Sequence, residues 1–174
     1  MLRAQLPRSR MILLGADEFS VSCSVMDISG TVNEILSRKG SNVWSVTPET
    51  TVFDAIKLMA DKNVGALPVL DRERLAGIIS ERDYTRKVIL KGRSSKETPA
   101  KDVMSSELVV AKPDDPIVGC MRLMAEKRVR HLPVVEGEKI VGIISIGDLV
   151  KWIISAQTAA IDQLERYITG DYPA

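Results

Sequence analysis

The feature that most constrains this chain is an internal repeat with a constant spacing. A run of 36 residues recurs 65 positions later without a gap, and about 15 of the 36 paired positions are identical. The pairs that fix the alignment are Pro48–Pro113, Met59–Met124, Pro68–Pro133, Gly77–Gly142, Ser80–Ser145 and Asp83–Asp148. Unrelated segments do not agree to this extent by chance, so the sequence predicts two similar units of about 60 residues in tandem.

Both units have the same predicted order of elements. A helix is followed by two short apolar strands around a polar turn, which indicates a hairpin, and then by a second helix. The first helices should begin at Thr51 and at Asp115–Pro116 and end near Lys62–Asn63 and Lys127–Arg128. The predicted strands are Ala66–Leu70, Leu75–Ser80, His131–Val135 and Ile140–Ser145, and the final helices are Glu81–Lys91 and Ile146–Gln157, the latter continuing to about Ile168.

The fold class expected from this order is α/β (α+β), with two β-α-β-β-α repeats. One three-stranded sheet with helices on one side could not bury its apolar face alone. We therefore expect the two units to pack with pseudo-twofold symmetry, sheets face to face and helices outside. The arrangement would create two related clefts, so the repeat also predicts paired binding sites.

The segments around the repeats divide the chain further. Residues 1–26 are not expected to be a targeting segment, because their apolar stretch is short for a secretory signal and Asp17 and Glu18 disfavour an organelle transit peptide. We interpret them as a vestigial extension or a misplaced start, with Met26 a plausible true start, and expect little fixed structure before Asp27. The expected boundaries are 31–91 for repeat 1, 92–98 for a polar, flexible linker, 99–156 for repeat 2 and 157–174 for a C-terminal helix extension and tail. The segments TVNEILS and PAKDVMS, ahead of the two repeats, also match.

Composition excludes several classes of protein. Lys and Arg number 24 against 23 Asp and Glu, and this near-neutral balance disfavours dedicated binding to nucleic acid or to an anionic membrane. No apolar run approaches the ~18 residues that span a bilayer, and we expect a cytoplasmic protein. The single histidine, His131, excludes multi-histidine metal centres, and Cys23 and Cys120 form no metal-binding or disulfide pattern. We expect Cys120 to be a small buried apolar residue.

The repeated runs ALPVLDRERLAGIISERD and HLPVVEGEKIVGIISIGD resemble a tandem pair of CBS domains, known as a Bateman module. The resemblance covers about residues 31 to 156. It implies a regulatory protein, not an enzyme, that binds an adenosine-containing ligand: AMP, ADP, ATP, NAD(H) or S-adenosylmethionine. It further implies a homodimer shaped as a disc of four repeats, with output to a separate, unknown effector protein.

Each repeat carries a Ser-x-x-Asp sequence where a strand leads into a helix. Ser80 with Asp83, and Ser145 with Asp148, match a capping box, in which the two side chains satisfy backbone groups at the start of the helix. The alternative function is ligand binding, because a carboxylate at that place can accept hydrogen bonds from ribose hydroxyls. Free helical N–H groups could meanwhile approach a phosphate. Both roles can hold at once, and the doubled pattern favours ligand binding.

Basic residues near the second hairpin predict contact with a phosphate. Arg130 and His131 lead into that strand, and the resemblance implies phosphate contacts there. Arg128 is better explained as a solvated rim residue. The first unit has Gly65–Ala66 at the corresponding positions, which predicts two unequal sites, although Arg82 could compensate because its counterpart is Gly147.

The remaining candidates would surround the adenine or flank the sugar. An adenine ring needs apolar walls and backbone partners. The candidates are Ile35, Val103, Met104, Ala66 and the carbonyls near Leu67 and Leu132; for any one wall residue, core packing is the competing explanation. Thr47 and Lys112, at the end of the strand before each first helix, could flank the ribose or phosphate. Trp44 and Trp152 are interpreted as core or interface residues.

Three other functions were weighed against a nucleotide sensor. A ligand-independent scaffold could assemble through the helix from Ile146 to Ile168. Nucleic-acid binding would use basic residues around the first unit's last helix, namely Arg82, Arg86, Lys87, Lys91, Arg93 and Lys96. Catalysis is the least favoured, because the sequence holds no nucleophile–base pair, metal cluster or P-loop.

Overall fold

The computed structural model describes residues 10–12, 30–40 and 42–169. Its helices are α1 (Val32–Lys39), α2 (Val52–Lys62), α3 (Glu81–Asp83), α4 (Ile117–Lys127) and α5 (Ile146–Thr169). Its strands are β1 (Arg10–Ile12), β2 (Ala66–Asp71), β3 (Arg74–Ser80), β4 (Glu107–Val109), β5 (His131–Glu136) and β6 (Lys139–Ser145). Three short helical segments complete the description: a π-helical turn, Tyr84–Val88, and 3₁₀ turns at Ile89–Lys91 and Ala100–Asp102. None of the described helices has the length and apolar character needed to span a bilayer.

The predicted hairpins are confirmed in both units. β2 and β3 pair antiparallel with Ala66 opposite Ser80, and β5 and β6 pair in the same way with His131 opposite Ser145. The predicted third strand is reduced to a single parallel bridge in each unit. These bridges join Val46 to Val69 and Ala111 to Val134. The order β-α-β-β-α therefore holds, but the first strand of each unit is only one bridge long.

The helix limits agree with the predicted ones except at two places. α2 begins after Thr51, whose hydroxyl accepts a hydrogen bond from the Asp54 N–H, and ends at Asn63 in the left-handed conformation. α4 begins at Ile117, one residue after the expected Pro116, because the Asp115 carboxylate turns back to accept from the Lys112 N–H. The helix predicted for Glu81–Lys91 is not a regular α-helix: only its first turn is α-helical, and π and 3₁₀ turns follow.

The segment that precedes each repeat packs on the other repeat. The Val32 N–H donates to the Asp115 carbonyl, and the Ile117 N–H donates to the Gly30 carbonyl. The corresponding bonds in the other half run from Ala100 N–H to the Thr50 carbonyl and from Val52 N–H to the Thr98 carbonyl. This reciprocal exchange gives the pseudo-twofold symmetry that the repeat predicts. It also means that contacts cross the expected boundary between 31–91 and 99–156.

The glycines of the two second strands make this exchange possible. A Cβ added at Gly77 would lie 2.5 Å from Met104 Sδ, and one at Gly142 would lie 2.6 Å from Leu36 Cδ2. A side chain at either position would therefore require Met104 or Leu36, which belong to the segments from the other half, to move. The two glycines are themselves related by the 65-residue offset of the repeat. Because they have no side chain, both leave room for the exchanged segments.

Three groups of buried apolar residues fill the interior. One surrounds β5, β6, α4 and α1, and another surrounds β2, β3, α2 and residues 100–103. The third lies between the hairpins and is shared by both units; its buried members are Leu75, Leu108, Val110 and Val135. This shared core agrees with the prediction that the sheets pack face to face. Cys120 is fully buried, as expected, and Cys23 lies outside the described residues.

Two expectations about the connecting segments are wrong in part. Arg10–Ile12 pairs in parallel with Glu107–Val109, so these three residues are not without fixed structure. The remaining residues of 1–26 lie outside the described ones. The linker 92–98 is not simply flexible, since the Phe53 N–H donates to the Ser95 carbonyl and buried Thr98 bonds to Ser94.

Candidate functional site

The capping boxes predicted at both strand-to-helix junctions are present. In the first unit, the Ser80 N–H and hydroxyl donate to Asp83 Oδ2 at 3.1 and 2.5 Å, and the Asp83 N–H donates back to Ser80 Oγ at 3.3 Å. In the second, Ser145 makes the same bonds to Asp148 Oδ2 at 2.8 and 2.7 Å. These bonds fix each carboxylate at the start of its helix. Capping uses only Oδ2 of each aspartate.

Each capping aspartate also binds a lysine that sequence reasoning did not assign to the site. Lys87 Nζ lies 2.8 Å from Asp83 Oδ1 and donates to the Val103 carbonyl at 2.6 Å. Lys39 Nζ lies 2.7 Å from Asp148 Oδ2 and donates to the Ile143 carbonyl at 3.2 Å. Lys87 comes from the helical turn after Asp83, whereas Lys39 comes from the end of α1. The two carboxylates are therefore neutralised in different ways.

The Asp148 carboxylate is well placed to accept further hydrogen bonds. Its side chain is 17% exposed, and all three of its hydrogen bonds in the described structure end on Oδ2, which leaves Oδ1 open. Burial acts to raise the pKa of Asp148. The hydrogen bonds from Lys39 and Ser145 outweigh that effect, so its pKa lies below the usual value. Asp148 is thus a charged acceptor at neutral pH.

His131 begins β5 directly opposite Ser145, and the Ile146 N–H donates to the Arg130 carbonyl at 2.9 Å, so both residues lie beside the second capping box. Burial is the main cause that lowers the pKa of His131, and the positive charges of Lys39 and Arg130 lower it further, against an opposing effect of Asp148. The surroundings of this capping box, with Lys39, Arg130, His131 and Asp148, are called the second cleft below.

The amino ends of β2 and β5, which lie opposite the two capping boxes, are close to each other. His131 lies beside Gly65, the residue that corresponds to Arg130: a Cβ at Gly65 would be 3.4 Å from His131 Cε1. Arg82 Nη1 donates to the Arg128 carbonyl at 3.1 Å, so Arg82 reaches from the first unit to the second. The phosphate contact expected of Arg82 stays a prediction. Arg128 is exposed, as its interpretation as a rim residue requires.

The predicted apolar walls are largely core residues. Ala66, Leu67 and Leu132 are buried at the amino ends of β2 and β5. Val103 is buried with the first unit and Ile35 with the second, because their segments are exchanged. Met104, partly buried, packs over Gly77. Core packing therefore accounts for each of these side chains, and their ligand contacts stay a prediction.

Thr47 and Lys112 do not lie with the other candidates. The parallel bridges place them beside the carboxyl ends of β2 and β5, whereas the capping boxes lie at the amino ends. Four residues of strand separate the two ends, a distance of about 13 Å. Lys112 lines instead a cleft of about 900 Å³ with α1 and the β5–β6 turn. Thr47 is therefore distant from Asp83, and Lys112 from Asp148, within their own units, and their contact with a ligand stays a prediction.

The tryptophans occupy two different environments. Trp44 is 43% exposed, with Lys62 Nζ 4.1 Å from its ring centroid, so it is not a core residue. Trp152 is partly buried, with the Arg38 guanidinium 4.2 Å from its ring and Gly30 against its edge. Trp152 therefore joins α5 to the exchanged α1. Among the described residues, no group of three or more His, Cys, Asp or Glu could hold a metal ion.

Comparison with known proteins identifies the same repeated units. A family model of the CBS domain matches residues 32–89 and 100–155. The mitochondrial CBS domain-containing protein CBSX3 of Arabidopsis thaliana is 39% identical over 154 residues, 83% of this chain and 74% of the relative. YhcV of Bacillus subtilis is 36% identical over 119 residues, 68% of this chain and 84% of the relative. The structure of a CBS-domain protein from Burkholderia ambifaria superposes with a TM-score of 0.70 at 48% identity, covering 72% of this chain and 95% of that one.

Proposed function

Because the chain belongs to the CBS-domain family as a tandem pair, a regulatory module, we propose that it binds an adenosine-containing ligand in the cleft of its second unit. The observation that carries this proposal is Asp148, a largely buried, charged carboxylate with an open oxygen beside His131 and Arg130. Two ribose hydroxyls would donate to the carboxylate, and the phosphates would face the basic residues. The ligand classes are AMP, ADP, ATP and NAD(H).

The first unit is less suited than the second to bind a phosphate. Its Gly65 and Ala66 replace Arg130 and His131, and Asp83 already engages both oxygens, one with Ser80 and one with Lys87. We therefore expect one ligand per chain, bound in the second unit. A ligand in the first unit would have to displace Lys87 and would meet fewer basic groups.

One solved structure supports the general class of ligand. The CBS-domain pair of protein MJ0100, with a TM-score of 0.63 and 21% identity, is a complex with 5-methylthioadenosine and S-adenosylmethionine. At this identity the likeness concerns the fold, so it supports only that the fold can hold an adenosine compound.

We further propose that the protein acts on a separate effector and is not itself an enzyme. Among its relatives, inosine-5'-monophosphate dehydrogenase of Methanocaldococcus jannaschii matches 63% of this chain, yet this chain spans only 21% of that enzyme. Ligand binding would act by its differential affinity for two arrangements of the units. A cytoplasmic location stays a prediction, and the Arabidopsis relative is described as mitochondrial.

A thermal unfolding panel tests the proposal. AMP, ADP, ATP, NAD⁺, NADH and S-adenosylmethionine are each added to the purified protein, with guanosine monophosphate as the control for the base. A ligand at one hundred times its Kd stabilises the folded form by about 2.7 kcal/mol. Stabilisation by an adenosine compound but not by the guanosine one is the expected result. No stabilisation by any of them would overturn the proposal.

A second candidate function is assembly, favoured by an exposed apolar stripe on α5. Val150, Ile154, Ile161 and Ile168 are 42%, 57%, 53% and 81% exposed. The last three are spaced by seven residues, which is the repeat of a helix that packs against another helix. We propose a second copy of the chain as the occupant, which is consistent with the expected homodimer. Light scattering should show a dimer for the native protein and a monomer for Ile161→Lys, with Ala159→Lys, an exposed position on the opposite face of the same helix, as the control. A monomeric native protein would overturn this candidate.

A further inference from the structure

Lys39 is the one residue of the second cleft that comes from neither the repeat nor its hairpin. It ends α1, which packs on the second unit, and it lies 109 positions before Asp148 in the sequence. The segments 31–37 and 99–105, which precede the two repeats, align at an offset of 68 positions. At that offset the counterpart of Lys39 is Glu107, which lies in β4. The second cleft therefore has a cation that the repeated pattern does not supply.

The capping box does not require this cation. Ser145 alone satisfies the same geometry that Ser80 provides in the first unit, and Lys39 adds a third bond to Asp148 Oδ2. The Lys39 side chain is 39% exposed, so its ammonium is accessible to a ligand that binds beside Asp148. An ammonium has three donors, and two are used here, by Asp148 and by the Ile143 carbonyl.

The charge of Lys39 favours an anionic ligand. Lys39 and Arg130 are the cations that act on His131, and the carboxylates of Asp148 and Glu81 lie beside it, Glu81 Oε2 being 3.7 Å from the Cβ position of Gly65. Lys39 is paired directly with Asp148, at 2.7 Å. A phosphate would compensate a Lys39 ammonium released from Asp148, whereas a sulfonium group would add to its positive charge.

We propose that Lys39 determines the ligand class of the second cleft, selecting phosphorylated adenosine compounds over adenosine and S-adenosylmethionine. When ribose hydroxyls engage Asp148, they take over the hydrogen bonding that Lys39 supplies to that carboxylate. The released ammonium then binds the phosphate carried by the same sugar. The inference rests on the proposed function, because it requires a ribose at Asp148.

Calorimetric titration with AMP, ATP, adenosine and S-adenosylmethionine tests the inference. Lys39→Met removes the charge and keeps the length of the side chain. Its affinity for AMP should fall by about tenfold to a hundredfold, the usual effect of losing a hydrogen bond to a charged group, while adenosine binds as before. Lys39→Arg should recover most of the affinity for AMP. The matched control is Lys87→Met, which touches Asp83 and should leave the ratio of the two affinities unchanged.

The outcomes separate this inference from the proposed function. If the native protein binds AMP but Lys39→Met keeps the same ratio of AMP to adenosine affinity, the inference is wrong and the proposed function stands. The inference would also be wrong, and the proposed function would stand, if Lys39→Met bound AMP and adenosine more tightly by the same factor. Lys39 would then only obstruct the access of both compounds to Asp148. If the native protein binds none of the four compounds, the proposed function and this inference both fail. Equal thermal unfolding midpoints of the two methionine variants would show that both are folded.

Discussion

The ammonium of Lys39 lies 2.7 Å from Asp148 Oδ2 and joins the segment before the first repeat to the capping box of the second. The pair is partly exposed, so its own contribution to stability is below about 1 kcal/mol. Its importance lies in where it is placed. The residue proposed to hold the ribose is also the residue that holds the end of α1, so a ligand at Asp148 would act directly on the exchanged segment.

The stability of the protein should depend on the ionisation of Asp148. Its pKa is lowered in the folded state, so its contribution is present above the unfolded value of about 3.9 and is lost as the pH falls through the folded value. We expect Asp148→Asn to lower the free energy of unfolding by about 1 kcal/mol at pH 6, since the ion pair with Lys39 is lost and Ser145 donates to a neutral amide in place of a carboxylate. Urea unfolding at pH 6 and pH 3.5 should show this difference shrinking in acid.

The control for that experiment is Asp114→Asn, which removes an exposed carboxylate on the same unit. Its effect should stay within about 0.5 kcal/mol. A difference between native protein and Asp148→Asn that stays constant down to pH 3.5 would contradict the assigned pKa direction.

His131 predicts a second pH dependence, in a separate range. Burial lowers its pKa below 6.5, so the unfolded chain binds a proton that the folded protein does not. Stability should therefore fall as the pH drops from about 6.5 toward the folded value, because protonation favours the unfolded chain. His131 is the only histidine, so His131→Gln should remove this slope between pH 7.5 and 5.5 in chemical unfolding. An unchanged slope in the variant would assign it to another group.

The exchange of segments predicts that the glycines of β3 and β6 cannot be substituted without loss. Gly142→Ala would place a Cβ 2.6 Å from Leu36 Cδ2, and we expect destabilisation by about 1–3 kcal/mol. Gly147→Ala is the matched control, because its Cβ would lie at an ordinary 3.6 Å from Ser145 Oγ, and removing a helical glycine tends to stabilise. Thermal unfolding of the two variants compares them directly. Equal midpoints would show that α1 does not pack against Gly142.

Cys120 should be unreactive in the folded protein. The side chain is fully buried, and burial raises the pKa of its thiol to about 12, so the reactive thiolate is scarce at pH 8. In a Cys23→Ser variant, a thiol reagent should label Cys120 only after denaturant is added. Rapid labelling of the folded variant would show that the core around α4 opens readily.

Features that depend on local pattern could be predicted from the sequence. The repeat gave the two hairpins with their limits within one residue, and the Ser-x-x-Asp spacing gave both capping boxes. These succeed because strand alternation and helix capping involve residues only a few positions apart. Lys87 could also have been found, since it lies four residues after Asp83 on a helical segment, a spacing at which side chains meet.

Features that depend on which unit packs on which could not be predicted in this way. A repeat with a fixed offset does not show whether the segment before each unit packs on its own unit or on the other one. The sequence therefore offered no reason to place Lys39, which ends α1, beside Asp148 of the second unit. The distance of Thr47 and Lys112 from the capping boxes of their own units was missed for a different reason. Parallel strands end at the same edge of a sheet, so residues that follow the first strand lie at the carboxyl end of the next one, away from the capping boxes.

The measurement that tests the central claim most directly is calorimetric titration of AMP into the native protein, Asp148→Ala and Asp83→Ala. If Asp148 holds the ribose, Asp148→Ala should lose at least about tenfold in affinity, because hydrogen bonds to a charged group are removed. Asp83→Ala removes the equivalent capping residue of the first unit and should bind AMP nearly as the native protein does. Native affinity for AMP in a folded Asp148→Ala variant would contradict the account.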